Sequence, residues 1–329
     1  LALAPSASAS GDPTLSWWTI ETAHFRVHYE RGLEPIATRV AEVAETVHDR
    51  LTDSLGYTPT SATEIVLTDD VDSANGSATS LPFNTIRLFV TAPDDMSPLA
   101  DYDDWYTDLV THEYTHILHT DQIRGVPALF NALVGKTFSP NQAEPRWLLE
   151  GLAIVEESAH TSGGRLRSSQ WQMYMRTDVL EDNVATLDQV SHSPRRWPQG
   201  NLWYLYGSFF LRWFSDTYGD AALREMIREM SFQFVPWGIN RMARRATGKT
   251  FVDLYPEFVR AMQARFGAQR AAIRARGVRE GARLTFGGQT ALYPRIVPPN
   301  AFAGHAQPGD VLYFRDDGHA LGGLYRVPI

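Results

Sequence analysis

The sequence contains no cysteine and no long uninterrupted apolar run. Without cysteine the chain can form neither a disulfide framework nor a thiolate zinc site, which leaves imidazoles and carboxylates as ligands for a transition metal. No apolar stretch reaches the roughly 18 residues that a membrane-spanning helix needs, so we expect no membrane span. The 329 residues, 43% of them hydrophobic, suffice for a sizeable core and, as a prior, for two domains.

Positive charge is scarce in the first two thirds of the chain. The formal net charge is -8, yet residues 224 to 283 carry 13 Lys and Arg against 5 Asp and Glu. A basic helical segment can bind nucleic acid or lipid, but interspersed acidic residues are more typical of a solvated or docked face. We therefore expect this segment to dock against the acidic first part of the chain, and we expect no nucleic-acid partner.

The first residues form an uncharged stretch of small side chains, Leu-Ala-Leu-Ala-Pro-Ser-Ala-Ser-Ala-Ser. This stretch resembles the end of a secretory signal that runs into its cleavage positions. Residues 1 to 12 are therefore predicted to be a signal-peptide remnant or a disordered leader, and an exported protein, periplasmic or extracellular, is expected. A disordered tail without a targeting role is the alternative.

The most informative motif is His112-Glu113-Tyr114-Thr115-His116. Apolar residues recur around it at helical spacing and acidic residues precede it, which predicts a helix. Two histidines four residues apart lie one turn apart on one helix face, so both imidazoles can reach one cation at ~2.0 Å. Glu113 is then positioned to act on water beside that cation. The pentapeptide alone also fits a chance match on a packed helix.

His119 lies on the same helix face and is a rival ligand. It follows His112 by seven residues, or ~10.5 Å of rise, so one ion cannot bind both from an unbroken helix. We expect His119 either at the surface or in support of the ligands. The third ligand must come from elsewhere, and Glu150 is the best candidate because a carboxylate within the mainly apolar helix predicted from Trp147 to Glu157 requires a cationic partner. An exposed glutamate at a helix start is the alternative.

Together the two stretches resemble the gluzincin metallopeptidases, whose second helix reads Trp-Leu-X-Glu-Gly-X-Ala with a further Glu seven residues after the ligand. The matching positions, in order, are Trp147, Leu148, Glu150, Gly151, Ala153 and Glu157. The resemblance implies one zinc ion bound by His112, His116 and Glu150. It also implies Glu113 as the general base and Glu157 as the acceptor that orients a zinc histidine. Other divalent ions also accept two imidazoles and a carboxylate, although zinc is favoured.

A tyrosine is the predicted hydrogen-bond donor to the anionic oxygen of the tetrahedral intermediate. Many gluzincins place a tyrosine three residues before a glycine in a later helix, which corresponds to Tyr204 and Gly207 here. Tyr206 is the alternative donor, and His192 is a more distant one. Both tyrosines also fit a purely structural role as core aromatic residues.

Short alternating segments before the histidine motif predict a small mixed sheet packed on the active-site helix. A turn-rich stretch from Asp72 to Ser80 precedes the last of the predicted strands, Ile86 to Val90. The residues from Asn75 to Val90 resemble the segment before the active helix in bacterial exported zinc peptidases that carry a β-propeller. By that resemblance the strand Ile86 to Val90 is the sheet edge along which a peptide substrate adds. Asn84, Ile86 and Leu88 are therefore the expected substrate-binding residues, and an internal strand is the alternative.

The second half of the chain is predicted to be mainly helical, with a β tail from Arg283. Gly309-Asp-Val-Leu-Tyr-Phe and Gly323-Leu-Tyr-Arg-Val resemble two strands of a WD-like propeller blade, and no second copy follows. The predicted division is a leader (1 to 12), an α/β part with the substrate edge strand (13 to 100), a zinc-binding helical part (101 to 282) and a partial blade (283 to 329). An association with a propeller domain missing from this chain is a further expectation.

These observations predict an α+β, zincin-like zinc metallopeptidase that acts on peptides or proteins, with endopeptidase activity favoured. An aminopeptidase is the first alternative, but the Gly-X-Met-Glu-Asn segment that captures the substrate amino group in this superfamily does not precede residue 112. An inactive peptide-binding module with a propeller is the second alternative. The presence of every expected position of the catalytic motif argues against it.

Overall fold

The computed structural model describes residues 14–94, 97, 99–192, 195–198, 200–235, 238–287, 290–300 and 306–329. The chain divides into two units, one ending at Ala268 and the other beginning at Gln269. This boundary precedes the predicted one at residue 282, so residues 269 to 282 of the predicted helical part belong to the second unit. No boundary separates residues 14–100 from residues 101–268. The predicted leader lies outside the described residues.

Five strands form a mixed sheet in the first unit. They are β1 (Trp17–Glu21), β2 (Phe25–Glu30), β3 (Thr63–Thr68), β4 (Gly76–Thr79) and β5 (Thr85–Phe89). The sheet order is β1-β2-β3-β5-β4, with β2, β3 and β5 parallel and the two outer strands antiparallel to their neighbours. Alternate residues of the central strands are buried, so one sheet face contributes to the core. The small mixed sheet of the prediction is confirmed.

The expected substrate edge is wrong by one strand. β5 contains Ile86 and Leu88 but is internal, since it pairs with β3 on one side and with β4 on the other. Both side chains are buried, and buried Asn84 donates from Nδ2 to Asp121 Oδ2 at 3.1 Å. None of the three residues can receive a substrate strand, because their hydrogen-bonding positions or side chains are already occupied. The edge strand is β4, within the stretch predicted to be turn-rich.

Helix α2 (Trp105–Thr120) carries the histidine motif and is buried on most sides. The carboxylate of Asp104 caps its first turn by accepting from Thr107 N at 3.2 Å, and Arg39 of helix α1 (Glu34–Leu55) pairs with the same carboxylate. At the other end, Tyr57 Oη donates to Asp121 Oδ2 at 2.8 Å. Both ends of α2 are therefore fixed to surrounding structure, as a rigid site requires.

The remaining helices of the first unit are, in chain order, α3 (Gly125–Val134), α4 (Arg146–His160), α5 (Ser169–Leu180), α6 (Leu187–Ser191), α7 (Leu202–Tyr218), α8 (Asp220–Met230), α9 (Ile239–Thr247) and α10 (Phe251–Ala275). α10 extends across the unit boundary. Helical periodicity in the sequence predicts α4, and it predicts further helices from Ser168 to Thr177, Asn201 to Thr217, Ala221 to Ser231 and Phe251 to Arg279, which correspond to α5, α7, α8 and α10. It does not predict α3, α6 or α9.

Two glycines allow α4 and α7 to pack backbone against backbone. A Cβ atom on Gly207 would lie 2.0 Å from the Trp147 carbonyl oxygen, and one on Gly151 would lie 2.5 Å from the Gly207 carbonyl carbon. No larger residue fits at either position without separating the helices. This contact fixes Glu150, next to Gly151, relative to Tyr204, one turn before Gly207.

The basic segment does not pair with the acidic first part of the chain as predicted. Its ion pairs to described residues are internal, for example between Arg228 and Glu225 and between Lys249 and Glu257. Arg224 does reach helix α1, but it donates to the backbone oxygen of Ser54, at 2.9 Å. Arg265 likewise donates to a neutral group of the earlier chain, Gln172 Oε1 at 3.0 Å, and Phe251 packs on Trp147. The segment therefore docks on the earlier part of the chain as predicted, but through packing and neutral acceptors rather than through the expected charge pairing.

The second unit contains a three-stranded antiparallel sheet in the order β6-β7-β8. Its strands are β6 (Thr290–Ile296), β7 (Val311–Asp316) and β8 (Gly323–Val327). Identification of this sheet as part of a propeller blade stays a prediction. Within the described part of the whole chain, no helix combines the length and apolar character needed to cross a membrane.

Candidate metal centre

Helices α2 and α4 bring two imidazoles and one carboxylate to a single point. His112 Nε2 and His116 Nε2 lie 3.4 and 3.3 Å from Glu150 Oε2. One ligand atom from each of the three residues lies within 4.8 Å of the others. Among the described residues these three form a candidate metal site, and they are the three that the sequence predicts as ligands.

The spacing of these atoms fits a tetrahedral ion. Bonds of ~2.0 to 2.1 Å in a tetrahedral site place neighbouring ligand atoms roughly 3.3 to 3.4 Å apart. A direct charge-assisted hydrogen bond between imidazole and carboxylate is shorter, ~2.7 to 2.9 Å. The two rings are nearly perpendicular, at 85°, with centroids 4.9 Å apart. The residues therefore fit a divalent cation better than they fit a closed hydrogen-bonded cluster.

Glu157, which is itself held by Arg165, orients His112 from the side away from Glu150. Glu157 Oε2 lies 3.1 Å from His112 Nδ1. Arg165 Nη2 is 2.8 Å from the same nitrogen and donates to Glu157 Oε2 at 2.7 Å. A cation on Nε2 requires a proton on Nδ1, so Nδ1 donates to Glu157 and the guanidinium is held by Glu157. Glu157 thus contacts His112, one of the three candidate ligands, which is the position that the resemblance implied for it.

Electrostatics in this cluster favour charged carboxylates. Burial disfavours the charged form of Glu150, but the two neighbouring histidines hold its pKa well below its usual range. Arg165 and His112 likewise outweigh burial and lower the pKa of Glu157 to about 2. Burial lowers the pKa of His112, as does Arg165, yet the neighbouring carboxylates of Glu150 and Glu157 prevail and raise it to about 9. A cation that binds His112 at neutral pH must therefore displace a proton.

Glu113 lies in the same cleft, against the edge strand. Its carboxyl group approaches Gly76 so closely that a Cβ there would lie 2.7 Å from Glu113 Oε1. The Glu113 side chain is buried, and burial raises its pKa. A carboxylate with a raised pKa accepts a proton more readily, as a general base requires. The sequence predicted this position for Glu113 but gave no sign of its contact with Gly76.

The two candidate tyrosines differ in surroundings. Tyr204 lines the cleft with His112, Glu113 and Glu150, and burial raises its pKa to about 12, so its hydroxyl keeps its proton. Tyr206 is fully buried elsewhere, where its hydroxyl donates to Asp178 Oδ2 at 2.6 Å and accepts from Ala185 N at 3.0 Å. Of the two tyrosines, Tyr204 is therefore the one that lines the cleft, where the charges of Glu150 and Arg165 act on its hydroxyl.

The remaining alternative ligands and hydrogen-bond donors do not line the cleft. His119 is fully buried and pairs through Nε2 with Glu144 Oε2 at 3.0 Å, so the surface position considered for it is wrong. Glu156 is another acidic residue of α4 and an alternative ligand to Glu150, but it accepts from Ser54 Oγ at 2.7 Å and pairs with His160. His192 borders a different cavity.

The cleft has a volume of about 580 Å³, within the range of ligand-binding clefts. The edge strand β4 forms part of one wall, and Arg146, Tyr102 and Asn201 also line the cleft.

The contribution of Arg165 to the site was not predicted, because no pattern in the sequence marks this residue. Gly164, in a left-handed conformation at φ 94° and close to Ser158, makes the turn that returns the chain to Glu157.

Comparison with known proteins adds no family assignment. No protein-family model matches the chain, and a search of curated proteins finds no significant match. The interpretation of the site therefore depends on its own geometry.

Proposed function

We propose that this chain is a zinc metallopeptidase with a zincin-like fold of the gluzincin type. The observation that carries the proposal is the convergence of His112, His116 and Glu150 at the spacing of a tetrahedral ion, with Glu113 beside them. Zinc is the ion that best suits two imidazoles and one carboxylate in a chain without cysteine. An ion held there supplies Lewis acidity, which activates water and polarises a carbonyl group.

The surrounding side chains supply the proton transfers. Glu113 takes a proton from the attacking water and delivers it to the leaving amine, which its raised pKa assists. Tyr204 retains its proton and donates a hydrogen bond to the oxygen that becomes anionic. Glu157 accepts from Nδ1 of His112 and so keeps this histidine in the tautomer that coordination needs, and Arg165 holds the Glu157 carboxylate in place.

Edge strand β4 supports a peptide as the substrate. Its outer side has no strand partner in the described sheet, and its residues line the cleft beside Glu113. An extended peptide can pair with such an edge through main-chain hydrogen bonds and with little sequence selectivity. Residues Asn75 to Thr79 carry no carboxylate to capture a substrate amino group, which favours endopeptidase over aminopeptidase activity. We also propose that the protein is exported, on the basis of the predicted leader alone.

The test uses the full chain, stripped of metal by a chelator and reconstituted with one equivalent of zinc. An internally quenched peptide blocked at both ends should be cleaved only after zinc is added. Glu113→Gln should keep zinc but lose turnover by on the order of 10²-fold or more, because an amide is not a base. Glu42→Gln, the same change at an exposed position of α1, should be normal. Near-normal turnover of Glu113→Gln with full zinc would refute the mechanism, and cleavage of free-amino substrates alone would make the enzyme an aminopeptidase.

A further inference from the structure

Arg146 lines the cleft and has no carboxylate partner among the described residues. The other arginine of the cleft, Arg165, pairs with Glu157 at 2.7 Å. Arg146 is exposed at the start of α4, where no acidic residue in the first turn offsets its charge. Glu150 follows it by four residues, the spacing of a helical ion pair, but contacts both histidines of the metal centre instead. The charge of Arg146 is therefore open to a bound molecule.

The guanidinium of Arg146 lies beside the proposed oxyanion donor. Its Cζ is 5.0 Å from the centroid of the Trp203 ring, and Trp203 directly precedes Tyr204. Burial raises the pKa of Tyr204, and the charge of Arg146 is among those that oppose this rise, so the two side chains are close. Four residues of α4 separate Arg146 from Glu150, a rise of about 6 Å. This rise equals roughly two residues of an extended peptide.

The rest of the cleft is unfavourable for an acidic group of the substrate. Asp101, Asp108 and Glu113 also line it, and their carboxylates repel another carboxylate. Beside Arg146 the same group gains charge-assisted hydrogen bonds, because a planar guanidinium matches the geometry of a carboxylate. An acidic group is thereby directed to one position relative to the metal centre. Main-chain pairing with β4 gives little sequence selectivity, so a side chain such as Arg146 must supply it.

We propose that Arg146 makes the cleft selective for peptides with a carboxylate close to the scissile bond. This preference rests on the proposed peptidase function and specifies its substrate class. A Glu or Asp side chain or the free C-terminus of a short peptide can supply the carboxylate, and both have the same chemistry. A neutral group in its place leaves the guanidinium without its partner, which weakens binding.

Matched peptides test the proposal on the zinc-loaded full chain. The cleavage site of a neutral peptide that is blocked at both ends is first located by mass spectrometry. Glu, Gln or Lys then replaces each residue flanking that site in turn, and a further peptide carries Gln and a free C-terminal carboxylate. The parent should cleave a Glu peptide or the free-carboxylate peptide with a kcat/KM roughly tenfold or more above that of the blocked Gln peptide. Which of the two is preferred identifies the source of the carboxylate.

Variants at position 146 show whether this arginine causes the preference. Arg146→Gln should reduce the ratio of kcat/KM values to about one, and Arg146→Glu should make a Lys peptide the better substrate. A purely structural role for Arg146 would not reverse the preference. Arg244→Gln is the matched control, because it removes the same charge from an exposed position on α9 that does not line the cleft. It should keep the parental ratio, and zinc content and melting temperature confirm that each variant is folded.

Binding separates this preference from the proposed function. Fluorescence anisotropy of the labelled peptides on the Glu113→Gln chain requires no turnover. Absence of cleavage by the parent, together with tighter binding of a carboxylate peptide, would refute the peptidase function alone. Equal cleavage and equal binding of the Glu, free-carboxylate and Gln peptides would overturn the role of Arg146 alone. An Arg146→Gln chain that keeps the parental preference would overturn it as well.

Discussion

Gly76 of the edge strand and Glu113 of the metal-site helix are in such close contact that no side chain fits between them. A Cβ on Gly76 would lie 2.7 Å from Glu113 Oε1 and 2.9 Å from Cγ. The backbone of β4, where a substrate strand would pair, is thereby held against the proposed base. One glycine thus links peptide alignment to proton transfer.

Gly76→Ala should lower kcat while zinc binding is retained. The added methyl displaces the Glu113 carboxyl group, and a misplacement of about 1 Å can reduce turnover by as much as 10²-fold. Ser77→Ala is the control, because Ser77 is exposed on the same strand. The test measures kcat for peptide cleavage and the zinc content of both variants. Parental kcat in Gly76→Ala would mean that Glu113 does not need this position.

Tyr204→Phe should reduce kcat by roughly 10² to 10³-fold and leave KM nearly unchanged, because it removes a donor to an oxygen that is charged only in the transition state. Tyr206→Phe should keep kcat but lose stability, since it removes the hydrogen bond to Asp178, about 1 to 3 kcal/mol. Steady-state kinetics and urea unfolding separate the two effects. A large kcat loss at Tyr206 alone would reverse the assignment.

Arg165→Met should destabilise the metal-free protein by about 3 to 5 kcal/mol, because it removes the guanidinium that pairs with the buried carboxylate of Glu157. Combining it with Glu157→Gln should recover part of that loss, since the uncompensated charge is then removed as well. Urea unfolding in the presence of a chelator measures both variants. Equal unfolding free energies for the single and double variants would argue against a charged pair at this position.

Asp108→Asn should stabilise the metal-free protein at pH 7.5. Burial raises the pKa of Asp108 to about 6, above its unfolded value of 3.8. A carboxyl group with a raised folded pKa penalises folding fully above that pKa, and the penalty disappears as pH falls below the unfolded value. The gain from Asn should therefore be on the order of 1 to 2 kcal/mol at pH 7.5 and should fall towards zero near pH 4. Paired thermal melts across this range test it, and a constant difference would contradict the shift.

The sequence predicted the parts of the site that depend on helical periodicity. His112 and His116 are one turn apart wherever their helix forms, and the apolar residues of α4 fix which side Glu150 faces. Tyr204 could be separated from Tyr206 only by packing, because Gly207 must contact Trp147 for α7 to place Tyr204 in the cleft.

The other features of the site depend on contacts between segments, which leave no pattern in the local sequence. β4 reads Gly-Ser-Ala-Thr, which lacks apolar alternation because the strand is held by its backbone to β5. Because β4 was not predicted, β5 was taken as the edge of the sheet. Asn84, Ile86 and Leu88 were therefore wrongly assigned as substrate-binding residues. Arg165 follows Glu157 by eight residues through an irregular turn, so no spacing rule connects them.

Zinc affinity of Glu150→Ala tests the central claim most directly, with Glu156→Ala as its matched control on the same helix. Competition with a chromogenic chelator at pH 7.5 should give one zinc per parent chain, and per Glu156→Ala chain, at comparable affinity. Glu150→Ala should bind far more weakly, by more than the ~10 to 100-fold expected for loss of a residue that only supports a ligand. Parental affinity in Glu150→Ala would contradict the account, because the two imidazoles would then hold the ion without the carboxylate that defines the proposed site.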